Sequence, residues 1–334
     1  MSTTFVTAAP PFLIAEVAQG YEGSEKLVAL FVQAAAAAGA DAVKFQIFYA
    51  DESAFPDYTH YALYKQLELP PAVWERAVAD AHARGMAFYA DAIGRASFAM
   101  LERIGVDGYK VHTSNIANTP LLHVVAAQSS RERHMLISTG GCLPDEVDAA
   151  VALFAGHPIT IMHGFQAEPT DIADNNLRRI TTLAERYRAS IGFQDHTAGD
   201  SDLAPFTAFM AIGLGATVIE KHLTLSRRAG MEDWVSALTP EEFLDFSQKV
   251  KTAYAALGSQ EWALTDREWA YRKKLQRTVC AYRDIAPGEV MCAEDLILKR
   301  TSKINTITAV ADVIGKRARR AIASDTIIAA GDLV

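Results

Sequence analysis

Short apolar runs alternate with longer amphipathic stretches along most of the chain. The runs are four to six residues long, as expected of strands buried on both faces. They lie at 12–17, 42–46, 86–90, 109–112, 134–138, 159–163, 191–195 and 217–222. Helical patterns separate them, so the order predicts an α/β fold with parallel strands. Eight repeats favour a closed (β/α)8 TIM barrel over an open doubly wound sheet.

Two of the intervening stretches carry helix boundary signals. The stretch 24–38 begins at Ser24, a good N-cap residue, and stops at Gly39. The stretch 71–84 opens on a proline and closes at Gly85. Both patterns predict amphipathic helices on the outside of the barrel.

Several predicted strands end in polar residues that share one face. Because side chains alternate across a strand, residues two positions apart point the same way. The pairs are Lys44 with Gln46, Lys110 with His112, and Glu220 with His222. Barrel enzymes place their chemistry at the C-terminal ends of the strands. We therefore expect one mouth to be lined by Glu16, Lys44, Gln46, Lys110, Ser138, His163, His196 and His222.

Composition adds a second domain to this picture. A chain of 334 residues with 50% hydrophobic content can bury a large core and has room for a further small unit. The alternation of apolar and amphipathic stretches stops after residue 258. The charged stretch that follows, 259–277, is linker-like or helical. Short β-patterns follow, broken by a turn signal at 286–289. We predict a barrel over 1–258, a linker over 259–277 and a small β-rich domain over 278–334.

Charge and cysteine content exclude several classes of function. The net charge of −8 opposes a nucleic-acid surface, and we interpret the basic run at 316–320 as a solvated face. The three cysteines, Cys142, Cys280 and Cys292, form no CxxC pair, which argues against a disulfide framework or a zinc cluster. A reducing cytoplasm is therefore the expected compartment.

The sequence also contains no membrane or export signal that we recognise. No stretch reaches the roughly 20 apolar residues needed to span a bilayer. The first residues lack both a basic start and a long apolar region. We expect neither a membrane segment nor a signal peptide.

Seven motifs resemble those of the sialic acid synthase family, whose members condense phosphoenolpyruvate with an N-acetylmannosamine-type aldose to make nonulosonic acids. They are IAEV (14–17), GADAVKFQ (39–46), YK (109–110), ISTGG (137–141), DNNLRRI (174–180), DHTAG (195–199) and GATVIEKHLTL (215–225). The tail at 283–300 resembles the SAF (antifreeze-like) domain that follows the barrel in this family. Each motif is weak alone, but their order and spacing together are specific.

The resemblance implies a divalent metal, commonly manganese or magnesium, held by His196 and His222. Neutral imidazoles at the ends of two neighbouring strands can meet across the mouth. With no carboxylate among these ligands, the metal is expected to be held loosely and to be removed easily by chelators. Glu220, on the face of His222, is expected to act as a direct ligand, through water or through a neighbouring contact.

The resemblance also assigns substrate contacts. Lys44 and Lys110 match the phosphoenolpyruvate-binding lysines, although a barrel-closing ion pair of Lys110 with Glu16 or Glu220 is an alternative. Glu16 is expected to be the general base for the attacking water or to orient it. The remaining matches are Ser138 for the phosphate, and Gln46 and Asp233 for the sugar hydroxyls.

The SAF-like tail implies a partner. In the family this domain caps the barrel of the other subunit in a domain-swapped homodimer, and an arginine from it contacts the sugar. Arg300 matches that arginine, although the residues that follow it, TSK, depart from the family's Pro-Gly turn.

Other departures concern the acceptor. The family's usual motifs are replaced by AQGYEG (18–23), YADAIG (89–94) and HTSN (112–115), and Glu168 stands where an aromatic residue precedes the proline. The residues expected to supply replacement contacts are Asp91, Ser114, Asn115, Gln166 and Glu168. The acceptor is then N-acetylmannosamine, a diamino-dideoxy hexose leading to a legionaminic- or pseudaminic-type acid, or a non-acetylated aldose. Two rival hypotheses are a barrel that only binds a sugar or a partner protein, and a synthase that uses a phosphorylated sugar.

Overall fold

Eight parallel strands close a barrel in the computed structural model, which describes residues 9–259, 261–303 and 306–334. The strands are β1 (Phe12–Ala18), β2 (Ala42–Ile47), β3 (Ala87–Ala92), β4 (Gly108–Val111), β5 (His134–Ser138), β6 (Ile159–His163), β7 (Ser190–Asp195) and β8 (Ala216–His222). Each strand pairs in parallel with the next, and β1 also pairs with β8. The predicted (β/α)8 fold is confirmed.

One long helix follows each strand, and two short helices are inserted after β2. The helices are α1 (Glu25–Ala37), α2 (Ala50–Ser53), α3 (Tyr61–Leu67), α4 (Pro71–Ala83), α5 (Arg95–Ile104), α6 (Thr119–Gln128), α7 (Pro144–Leu153), α8 (Arg179–Tyr187), α9 (Ala204–Gly213) and α10 (Pro240–Tyr254). Over the described ranges, no helix combines the length and the apolar character that crossing a bilayer requires.

Helix α1 shows how the local sequence sets these elements. The hydroxyl of Ser24 accepts a hydrogen bond from the amide of Leu27, which caps the first turn. The buried positions follow the helical period: Val28, Phe31, Val32 and Ala35. The helix stops where Gly39 takes a φ of +74°, a conformation that glycine adopts without a steric cost.

The inside of the barrel is divided into two layers. We call the first the apolar layer, formed by Ile14, Ala42, Tyr89, Leu136, Met162 and Val218. Two residues further along five of the same strands lies the polar layer, formed by Glu16, Lys44, Asp91, Ser138 and Glu220. Because residues two apart share a face, the apolar layer closes the N-terminal end of the barrel beneath the polar layer.

A second compact unit comprises Ser259–Val334. It contains α11 (Asp266–Leu275) and an antiparallel pair, β9 (Thr278–Ala281) and β10 (Leu296–Lys299). Its own apolar core includes Val279, Met291 and Ile322. Helix α11 occupies much of the interval 259–277. Four basic side chains of the run at 316–320 are exposed, as expected of a solvated face.

Candidate active site

A cavity of about 250 Å³ opens above the polar layer, and we call it the inner cavity. Most of the predicted site residues line it. The lining comprises Glu16, Lys44, Gln46, Lys110, His112, Gln166, Glu168, His196, Glu220, His222 and Asp233. Strands β1, β2, β4 and β8 supply one part of this set, and the segments after β4, β6, β7 and β8 supply the other. The C-terminal end of the barrel thus gathers ionisable groups from distant parts of the chain.

Two lysines and three carboxyl groups form a buried cluster at the base of the inner cavity. The Nζ of Lys44 lies 3.3 Å from both carboxyl oxygens of Asp91 and 3.9 Å from Oε2 of Glu220. Lys44 also forms an ion pair with Glu16, and Lys110 forms one with Glu220. The ion pair considered as an alternative for Lys110 is therefore present, and the same lysine still lines the cavity.

The buried cluster shifts the protonation of its members. Burial raises the pKa of Glu16 to about 8, and the opposing effect of Lys44 is smaller. Burial opposes the charge of Lys44, but its carboxylate neighbours outweigh burial and raise its pKa. Burial likewise opposes the charge of Glu220, yet Lys110 and Lys44 lower its pKa. Burial therefore favours the protonated form of Glu16, whereas Lys44 keeps its ammonium charge and Glu220 its carboxylate charge at neutral pH.

Two neighbouring imidazoles, tilted against each other, line the inner cavity. The ring centroids of His196 and His222 are 5.1 Å apart. Burial lowers the pKa of His196 to about 4, and burial with the neighbouring His196 lowers the pKa of His222 well below its ordinary value. Both rings are therefore neutral at pH 7, the form that binds metals.

A carboxylate joins the two imidazoles. Glu168, His196 and His222 each offer one ligand atom, and these atoms all lie within 4.8 Å of one another. Nδ1 of His196 is buried and has no hydrogen-bond partner in the described part of the chain. A divalent metal fits this donor set. The two expected ligands, His196 and His222, thus have a carboxylate beside them, and Glu220 is paired with Lys110.

Lys221, between Glu220 and His222, points away from the cavity. Its Nζ donates to the carbonyl of Thr197 at 2.6 Å and lies 3.3 Å from Oδ2 of Asp195. The Asp195 carboxylate in turn accepts from the amide of Thr197 at 2.8 Å. Alternation along β8 thus explains three successive ionisable residues: two face the cavity and the third holds the backbone beside His196.

A larger cavity of about 800 Å³ adjoins the inner cavity, and we call it the outer cavity. Ser114 and Asn115 line it. The two cavities share Gln46, His112, Glu168 and Asp233. The other carboxyl and aromatic side chains of its lining are Glu52, Asp57, Glu232, Phe48, Phe55, Tyr58 and Tyr64. Burial, followed by a hydrogen bond with Glu168, raises the pKa of Asp233 to about 9.

Four expected residues are not part of the lining of either cavity. Ser138 is fully buried and hydrogen-bonds to Gln194. Asp91 is buried against Lys44 and does not line either cavity. The prediction for His163 is wrong, because its ring stacks on Phe193 and donates to the carbonyl of Asn175.

Arg300 is the fourth of these residues and belongs to the second unit. It follows β10 and is exposed.

Sequence reasoning did not assign a role to several lining residues. His112 lines both cavities, and its position two residues after Lys110 was the signal for it. Gln19, whose amide donates to Oε1 of Gln46 at 2.9 Å, and Glu232 lie in loops. Loop residues have no periodic pattern that would reveal which way they face.

Comparisons with known proteins agree with this geometry. The NeuB family model matches residues 31–262, and the SAF domain model matches residues 276–334. The chain is 31% identical over 327 residues to the N,N'-diacetyllegionaminic acid synthase of Legionella pneumophila, with 92% of this chain and 90% of that protein covered. It is 27% identical over 335 residues to a pseudaminic acid synthase of Campylobacter jejuni, with 95% of each covered.

A solved structure shows the same likeness. The crystal structure of the N-acetylneuraminic acid synthetase of Leptospira borgpetersenii has a TM-score of 0.72 at 27% identity, and the match covers 80% of this chain and 92% of that chain. These findings confirm the resemblance to sialic acid synthases and the SAF-type tail. Because the family model spans more than half of the sequence, the protein belongs to the NeuB family and is an enzyme whose barrel is followed by an SAF domain.

Proposed function

We propose that the protein condenses phosphoenolpyruvate with an aldose to give a nonulosonic acid and phosphate. The observation that carries the proposal is the pair of buried lysines, Lys44 and Lys110, in a cavity that two neutral histidines also line. Two cations in a partly dry pocket suit a ligand with a phosphate and a carboxylate. Relatives named as legionaminic and pseudaminic acid synthases support the same reaction class.

Phosphoenolpyruvate, the aldose and one water molecule together supply all the atoms of the acid and the phosphate. The methylene carbon of phosphoenolpyruvate forms a bond to the aldehyde carbon of the aldose, and water adds to the former enol carbon. Phosphate then leaves with its bridging oxygen. A carboxyl group with a pKa of about 8 suits a general base near neutral pH, so we assign the proton of the attacking water to Glu16.

We assign the divalent metal of this reaction to His196 and His222, and manganese and magnesium are the expected ions. When bound there, the metal would polarise the carbonyl group of the aldose as a Lewis acid. The lysines bind and orient phosphoenolpyruvate. The outer cavity holds the sugar, whose hydroxyl groups contact the lining residues Gln46, Asp233 and Ser114.

The outer cavity favours an aldose without a phosphate group. Among the described residues that line it there is no lysine or arginine, whereas five carry carboxyl groups. A phosphorylated sugar would meet a negative wall there. N-acetylmannosamine, a diamino-dideoxy hexose and a non-acetylated aldose remain as candidates.

A screen of these aldoses with phosphoenolpyruvate tests the proposal. Phosphate release and product mass are measured for each sugar, with mannosamine 6-phosphate as the phosphorylated control. We expect one of the non-phosphorylated sugars to give phosphate and an acid whose mass equals the two substrates plus water minus phosphoric acid. If no aldose supports phosphate release, the result favours the rival hypothesis of a barrel that only binds a sugar or a partner protein.

Isotopic labelling tests the bond that breaks. Oxygen-18 in the bridging position of phosphoenolpyruvate should appear in the released phosphate, because water adds to carbon and the carbon–oxygen bond is cleaved. Mass spectrometry of the phosphate and of the acid locates the label. Label in the acid would indicate phosphorus–oxygen cleavage and would refute this scheme.

We further propose that the enzyme acts as a domain-swapped homodimer in the cytoplasm. Arg300 is exposed in the SAF unit, where it is available to a partner subunit. The three cysteines are free thiols, which suits a reducing compartment.

A further inference from the structure

Glu168 lies beside both histidines and has no ion-pair partner in the part of the chain that the structure describes. One of its oxygens lies within 4.8 Å of a ring nitrogen of each histidine. Ligands at about 2.1 Å from a common ion lie about 3 Å apart when they are adjacent. Side-chain movements of about 1–2 Å would therefore bring the three atoms to bonding distance. We infer that Glu168 is a third protein ligand of the metal, and this inference rests on the proposed function.

The loop that carries Glu168 is fixed to the loop that carries His196. The amide of Thr170 donates to the carbonyl of His196 at 2.8 Å. The hydroxyl of Thr170 lies 2.8 Å from the carbonyl of Phe165 and 2.9 Å from that of Ala167, and it binds within its own loop. The backbone on both sides of Glu168 is thus held, so the carboxylate is presented to the histidines by a preorganised turn.

The loop after β8 is joined to the same point. The hydroxyl of Ser236 also donates to the carbonyl of His196, at 2.8 Å. Oδ2 of Asp233, in the same loop, lies 3.7 Å from Nδ1 of His222 and shares a hydrogen bond with Glu168. Three loops therefore converge on one set of donors, an arrangement that supports a metal centre rather than a chance contact.

Three of the other nearby carboxylates are engaged by cations, and the fourth, Asp233, shares its hydrogen bond with Glu168. Glu16 and Glu220 form ion pairs with the two lysines of the polar layer. Asp195 binds Lys221, the hydroxyl of Thr207 and the amide of Thr197. In the described ranges Glu168 has no ion-pair partner, while Nδ1 of His196 is buried without a hydrogen bond. The structure thus singles out Glu168 as the carboxylate that completes the donor set.

The third ligand has a chemical consequence. Two imidazoles and one carboxylate suit a six-coordinate divalent ion and leave three positions for substrate oxygens and water. Because Glu168 lines both cavities, a metal held there would be accessible from the site proposed for phosphoenolpyruvate and from the site proposed for the aldose. The carboxylate also adds a negative charge to an otherwise neutral pair, so it strengthens binding of a hard cation.

Manganese binding without substrates tests the inference. The protein is stripped with a chelator and titrated with Mn²⁺, and the free ion is followed by electron paramagnetic resonance. We expect Glu168→Gln to raise the dissociation constant at least about ten-fold. Glu232→Gln is the matched control, because Glu232 lines the outer cavity with the same charge but does not belong to the donor set. This control should change the constant by no more than about two-fold.

Three results would overturn the inference. They are an unchanged affinity in Glu168→Gln, an equal loss in both variants, which would indicate a general charge effect, and no Mn²⁺ binding by the unaltered protein. Circular dichroism of the metal-free proteins shows whether each variant folds. If Glu168→Gln misfolds, Glu168→Asp, which keeps the charge on a shorter side chain, is titrated in its place. Phosphate release is not needed for this experiment, so its outcome is separable from that of the proposed reaction.

Discussion

Glu16 illustrates at the scale of one residue how the barrel interior couples protonation to folding. Its pKa is about 8 in the folded protein and 4.5 in its ordinary state. Between these values the folded chain binds more protons than the unfolded chain, so the free energy of unfolding falls as pH rises through this interval. The contribution is fully present below about pH 4.5 and is lost by about pH 8.

The first prediction uses the neutral variant Glu16→Gln. The difference in unfolding free energy between the unaltered protein and this variant should fall by a few kcal/mol from pH 5 to pH 8, since about 1.4 kcal/mol accompanies each unit of pKa shift. Urea denaturation of the metal-free proteins at several pH values measures it. Glu75→Gln, on an exposed position of α4, is the control. If the difference in unfolding free energy between the unaltered protein and Glu16→Gln did not change with pH, the raised pKa would be contradicted.

The second prediction concerns Lys221, which is buried with Asp195. Lys221→Met leaves the carboxylate buried without its cation, so we expect a loss of about 3–5 kcal/mol in urea denaturation. The double variant with Asp195→Asn should lose less than the two single changes added together. Lys249→Met is the matched control, because Lys249 pairs with Asp245 on the exposed side of α10, where the loss should be under about 1 kcal/mol. Equal losses at both lysines would show that the buried pair is not structural.

At the scale of elements, the loops after β7 and β8 are packed backbone to backbone. The amide of Gly199 donates to the carbonyl of Val235 at 2.8 Å. A Cβ atom at position 199 would lie 1.9 Å from the carbonyl oxygen of Ala237. Only glycine allows this approach, which also sets the position of His196 relative to the loop that contains Asp233.

The third prediction is that Gly199→Ala separates these loops. We expect a loss of about 1–3 kcal/mol in stability, together with weaker Mn²⁺ binding. Gly213→Ala at the end of α9 is the control, because nothing lies within 4 Å of its added Cβ. This change should be neutral or stabilising by up to about 1 kcal/mol. Thermal unfolding and the manganese titration measure both, and a Gly199 variant with normal values in each would refute the packing argument.

The strands and the inward-facing residues of the site could be predicted from the sequence. Apolar runs bounded by glycine fixed the strand ends to within two residues, and alternation placed Lys44, Lys110 and Glu220 inside. The same alternation should have excluded His163, which follows the inward-facing Met162 and therefore points outward. The aromatic and acidic lining of the outer cavity could not be predicted, because loops lack periodicity and their side chains are placed by tertiary packing.

At the scale of the whole molecule, the chain divides into two units, each with its own core. The proposed swap makes each active site depend on two chains. The fourth prediction is that subunits with His196→Ala and subunits with Arg300→Ala, each inactive alone, regain part of the activity when mixed. A mixed dimer would contain one site with an intact barrel and an intact cap.

Phosphate release after subunit exchange measures this complementation, and differently labelled subunits confirm that exchange has occurred. A mixture of His196→Ala with His222→Ala is the control. Both defects lie in the barrel, so no intact site can form in any dimer. Exchange without recovery in the first mixture would exclude the swapped arrangement.

The apolar layer closes one end of the barrel, and this bears on the order in which the substrates bind. A molecule in the inner cavity cannot leave through the N-terminal end of the barrel, because that end is filled by side chains such as Tyr89, Leu136 and Met162. If the aldose occupies the outer cavity as proposed, we expect phosphoenolpyruvate to enter before it. If labelled phosphoenolpyruvate is bound first and then mixed with aldose and excess unlabelled phosphoenolpyruvate, most of the label should be committed to product. Complete dilution of the label would mean that the deeper ligand has another way out.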